Sequence, residues 1–91
     1  MSKREAPGRI DLLIALELNG VWVHVAGQRD DFGIVATVTE VNEAGEKIAT
    51  VGRLEVDEDD RREYETRGGG ALGALSLAAL EEVADRLVSH A

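Results

Sequence analysis

The stretch LELNGVWVHV, residues 16–25, sets the only tryptophan of the chain, Trp22, one residue away from His24, one of two histidines. An imidazole titrates near neutral pH and can move protons when a carboxylate orients it. Glu17 and Asp11 supply such carboxylates in the same stretch, so His24 with either of them is the enzymatic reading. That reading lacks a nucleophile: the chain has no cysteine, and no serine lies near His24 in sequence. Trp22 points elsewhere, because tryptophan is enriched among the residues that dominate protein interfaces, where its burial contributes roughly 2 kcal/mol or more.

Two other stretches invite chemistry. In EVDEDD, residues 55–60, Asp57 and Asp59 alternate as in a calcium-binding EF-hand loop. Counted from Asp57, however, the sixth residue is Arg62 and the twelfth Gly68, where that loop needs a glycine and a bidentate glutamate. The run Asp57, Glu58, Asp59 and Asp60 reads instead as solvated charge, or as negative charge displayed to a basic partner in imitation of a phosphate backbone. GGGALG, residues 68–73, precedes a helical segment, as phosphate-binding loops do. It has neither the spacing nor the lysine of a P-loop, nor the glycine spacing of a dinucleotide fold, and reads as a tether. No metal site and no cofactor are expected.

Eighteen acidic against ten basic side chains give a net charge of −8, which repels nucleic acid and attracts basic surfaces. Absence of cysteine fits a reducing, cytoplasmic setting. No run reaches the roughly 18 apolar residues of a membrane span, and residues 1–9, MSKREAPGR, read as a flexible leader without the apolar core of a signal peptide. The 91 residues suffice for one small domain, over residues 10–91, with an aliphatic core. A core this thin makes association a standing expectation.

Alternation of apolar residues from Ile10 to Leu18 and the β-branched run VWVHVA at 21–26 predict two strands. Asn19-Gly20 between them tolerates the positive φ of a type I′ turn and predicts a hairpin. The competing reading is a helix over 9–18 capped by the same pair. A polar loop at 27–33, a strand at 34–41, a turn at 42–45 and a strand at 46–56 complete a four-stranded antiparallel meander. Gly52, inside the last strand, marks a bulge or the close approach of a helix. Residues 57–70 read as an acidic loop. Residues 71–90 predict one helix, with Leu72, Leu75, Ala79, Val83 and Leu87 on its apolar stripe, Glu81, Glu82, Asp85, Arg86 and Ser89 opposite, and His90 near its negative end. The predicted fold is α+β, ββββα, with the helix on one face of the sheet.

With residues 19 and 20 as the turn, Leu18, Leu16 and Ile14 pair with Val21, Val23 and Val25 on the core side. Glu17 then faces Trp22, Ala15 faces His24 and Leu13 faces Ala26 on the other side. A single helix covers only one face of a sheet, so Trp22, Leu13 and Ala26 must be exposed or covered by the leader, a second subunit or a partner.

The succession W-V-H-V, D-D-F-G, A-T-V, E-A-G-E-K-I, A-T-V-G-R-L and a terminal Ala/Leu-rich helix, about 70 residues from Trp22 onward, resembles an actinobacterial family of small proteins of unknown function with a double-stranded-RNA-binding-domain-like fold. The resemblance implies a sheet with a helix on one face and carries over no catalytic residue. RNA binding does not come with the fold, because only Arg67 offers a cation beside the glycine cluster.

The expectation is a non-enzymatic interaction module that binds or inhibits a protein with a basic surface through Trp22, His24, Glu17 and Leu13 and through Asp57–Asp60. The alternative is a homodimer whose outer faces stack on Trp22, with the acidic segment serving solubility alone. Neither nucleic acid nor membrane is an expected partner.

Overall fold

The computed structural model describes residues 9–68 and 70–89. Five strands, β1 (Ile10–Leu18), β2 (Val21–Asp30), β3 (Gly33–Val41), β4 (Lys47–Asp57) and β5 (Arg62–Thr66), form one antiparallel sheet in chain order. A short 3₁₀ turn, Gly73–Leu75, leads into helix α1, Ser76–Ser89. The fold is α+β. Among the described residues no helix is long and apolar enough to cross a membrane. The expected leader (residues 1–9), except Arg9, and the expected place of His90 lie outside the described residues.

Residues 10–18 form a strand rather than a helix because every second residue is a large aliphatic that the sheet can bury on one side. Asn19 and Gly20, at φ 53° and 81°, make the tight turn. The register follows from it: Leu18 pairs with Val21, Leu16 with Val23 and Ile14 with Val25. Val23, Val25, Ile34, Ala36, Val38, Val51, Leu54 and Val56 carry the core across the inner face, closed by Leu72, Ala79, Leu80, Val83, Ala84 and Leu87.

Three expectations are corrected. The sheet has five strands, not four: within the segment 57–70 expected to be an acidic loop, Arg62–Thr66 pairs with β4. This strand tolerates charge because it lies at the sheet edge, with Glu63 and Glu65 facing outward and Tyr64 opposite Leu54 on the inner face. The polar segment 27–33 is mostly strand, since Gln28, Arg29 and Asp30 continue the ladder with Val35, Ile34 and Gly33 and leave Asp31-Phe32 as the turn. On the helix, Leu75 is exposed, and Ser76, Leu80 and Ala84 join Ala79, Val83 and Leu87 in facing the sheet. The 3₁₀ turn advances by about 100–120° per residue in a different phase from α1, which swings Leu75 off the apolar stripe.

Gly52 fulfils both readings made for it. The pairing slips between Val38 and Thr39, which face Gly52 and Thr50, so Val51 is the extra residue of a bulge. A Cβ at position 52 would also meet the Glu65 carbonyl oxygen and lie 2.8 Å from Leu80 Cδ1 of the helix.

Candidate interaction face

Among the described residues nothing covers the face of the sheet away from α1, and the strand pairings lay out its side chains in rows. Glu17 pairs with Trp22 at one end. Next come Ala15, His24 and Thr39, then Leu13, Ala26, Thr37, Arg53 and Glu65, then Asp11, Gln28, Val35, Glu55 and Glu63. Trp22 is 46% exposed and Leu13 80%, so the outer face leaves its largest apolar groups in solvent. Among these groups only Arg53 is a cation, and its Nη1 forms an ion pair with Glu55 Oε2 at 2.8 Å.

Trp22 and His24 border a depression of about 310 Å³ completed by Val41, Asn42, Glu43 and Gly45. The β3–β4 turn builds its rim. Asn42 Oδ1 accepts from the N–H groups of Ala44 and Glu46, each at 2.9 Å, and Asn42 Nδ2 donates to Glu46 Oε1 at 2.9 Å. This turn, closed by Asn42, places Glu43 on the same depression as the indole.

The acidic run is built in the same way. Asp57 Oδ1 accepts from the N–H groups of Asp59 and Arg61, each at 2.8 Å, and the Asp57 N–H donates to the Arg61 carbonyl at 2.9 Å. Asp60, at φ 64°, takes the position that Gly45 takes in the other turn. Asp57 is thus the anchor of the β4–β5 turn. Asp60 pairs with Arg62, which also binds Asp85 of α1; Asp85 first, then Asp60 and Tyr64, hold the Arg62 guanidinium above its ordinary value. Glu58 and Asp59 are the two acids of the run left to solvent.

Of the residues expected to bind a partner, the outer face brings together Glu17, Trp22, His24 and Leu13. Asp57–Asp60 lie at the other end of the sheet, in the row of Asp30 and Gly33. Eight residues of β2 separate the two ends, roughly 27 Å. At that far end the sheet carries features the sequence reading passed over. Phe32, 64% exposed in the β2–β3 turn, borders a second depression of about 320 Å³ with Gln28, Val35, Glu55, Arg61 and Glu63. The signal was present in the DDFG turn: an aromatic in a polar two-residue connection has no core to enter.

A second residue passed over is Glu40, which is buried on the inner face opposite Val23. Its Oε1 accepts from the Ala71 N–H at 2.7 Å and so fastens the glycine-bearing connection to the sheet. Alternation along β3 alone places position 40 on the core side, and a carboxylate there requires a hydrogen-bond donor or a cation, which the Ala71 N–H supplies.

Comparison with family models, with curated proteins and with solved structures finds no match to this chain. The functional reading therefore rests on the face itself.

Proposed function

We propose that this chain is a non-enzymatic interaction module whose open sheet face binds a protein segment bearing both basic and apolar side chains, and that it acts in the cytoplasm. The observation that carries the reading is the composition of that face: Trp22, Leu13, Val35 and Phe32 exposed among Asp11, Glu17, Glu55, Glu63 and Glu65. Carboxylates placed directly opposite one another, as Glu55 and Glu63 are, cost folding stability. A cationic partner relieves that repulsion, whereas a second copy stacked on the same face adds to it, so the charge favours a basic partner over the stacked homodimer. The aromatics at the two ends give such a partner its anchors.

Glu58 and Asp59 extend the negative field past the edge of the face and steer encounter, in the manner of an inhibitor that presents phosphate-like charge. Asp57 and Asp60 are committed to the turn and the Arg62 pair.

The test is affinity capture from the native host at low and high salt, with three baits. Intact protein should retain a basic protein at low salt and release it at high salt. Trp22→Ala should lose it at any salt. A bait carrying Glu58→Gln, Asp59→Asn, Glu63→Gln and Glu65→Gln should lose it while keeping its fold. Equal retention by all three baits would refute the reading.

A further inference from the structure

The sheet has two edges that are finished differently. The β5 edge is short, five residues, bears Arg62, Glu63 and Glu65, and lies under α1, all of which discourage another strand from pairing. The β1 edge runs for nine residues without proline, lysine or bulge. Helix α1 covers the β4–β5 half of the inner face, and at the opposite edge the inner-face residues Leu12, Ile14 and Leu16 of β1 are only half-buried. Beside them Ile10 is 56% and Leu13 80% exposed.

The two-residue turn fixes what that edge offers. Leu18 and Val21 flank it as a hydrogen-bonded pair, so even-numbered residues of β1 bond to β2, and the N–H and C=O groups of Asp11, Leu13, Ala15 and Glu17 point out of the sheet. We propose that a second copy of this chain pairs with this edge, antiparallel and about a two-fold axis at Leu13, joining two sheets into one of ten strands.

Side-chain chemistry selects this register. On the outer face Leu13 meets Leu13 of the second copy, Asp11 meets Ala15, and Arg9 meets Glu17. On the inner face Ile10 meets Leu16 and Leu12 meets Ile14, each contact made twice. Arg9, whose Nε lies 3.3 Å from Asp11 Oδ1, already extends along this edge. Moving the axis to Ile14 sets Asp11 against Glu17, and moving it to Leu12 sets Asp11 against Leu13 and removes the Arg9–Glu17 match. A slip of one residue exchanges the faces and drives carboxylates toward the core. The interface draws on Leu13 and Glu17 of the open face and leaves Trp22, Val35 and Phe32 uncovered.

Sedimentation of the intact protein should give twice the 9.8 kDa chain mass, with the amides of Asp11, Leu13, Ala15 and Glu17 gaining hydrogen-exchange protection as concentration rises. Leu13→Lys, at a position exposed in the single chain, should keep the circular dichroism spectrum and raise the dimer dissociation constant by roughly a hundredfold or more. Glu17→Arg should weaken the dimer, and Arg9→Glu combined with Glu17→Arg should restore it. A single chain mass at all concentrations, a dimer indifferent to Leu13→Lys, or a charge exchange that fails to restore association would overturn the proposal.

Discussion

A carboxamide at position 42 and a carboxylate at position 57 perform the same service, each accepting two backbone N–H groups to close a turn. Asp57 thus has a structural duty inside what reads, letter by letter, as undifferentiated negative charge. Asp57→Ala is expected to lower stability by about 1–2 kcal/mol and Asp57→Asn by much less, since the amide oxygen keeps the acceptor; chemical denaturation measures both. Asp60→Gly should act in the opposite direction, gaining up to about 1 kcal/mol by removing a side chain from a left-handed backbone. Gly52→Ala should cost about 1–3 kcal/mol, because its methyl meets the Glu65 carbonyl oxygen and Leu80 and neither the edge strand nor the helix can retreat without losing core contacts. Trp22→Ala, by contrast, should leave stability nearly unchanged relative to these, as its side chain is half in solvent.

At the scale of elements, the first hairpin was legible down to its register, because Asn19-Gly20 fixes the turn and a period of two fixes the faces. The helix was legible as a stripe, apart from Leu75, whose phase is changed by the preceding 3₁₀ turn. β5 was not. Its pattern Arg62, Glu63, Tyr64, Glu65, Thr66 alternates, but the inner face at a sheet edge needs only one large apolar group, too little for periodicity to register against the charge around it. Tyr64 supplies that group. Tyr64→Ala should therefore destabilise by about 1–3 kcal/mol and free the β5 amides to exchange before those of β2 and β3, a difference that residue-resolved hydrogen exchange reads directly. The candidate face was half-legible: the hairpin register gave Glu17, Trp22, His24 and Leu13 a common side, while the distance to Asp57–Asp60 and the entry of Phe32 and Glu55 depend on pairings across all five strands.

For the whole molecule, one helix shields one side of a five-stranded sheet, and the charge is distributed to suit. The inner face is aliphatic; the outer face joins exposed aromatics and aliphatics with carboxylates, and the β1 edge carries its own complementary pattern. The proposed self-pairing edge and the open face share Leu13 and Glu17, while Trp22 and Phe32 belong to the open face alone. Since Trp22 is the sole tryptophan, its fluorescence reports on the outer face without interference from the rest of the chain. The most direct measurement is acrylamide quenching of that emission, in the protein alone and with the captured basic partner. An open face predicts efficient quenching in the free protein at every concentration, protection when the partner binds, and return of quenching at high salt. An indole shielded in the free protein, or one whose accessibility the partner leaves unchanged, would contradict it.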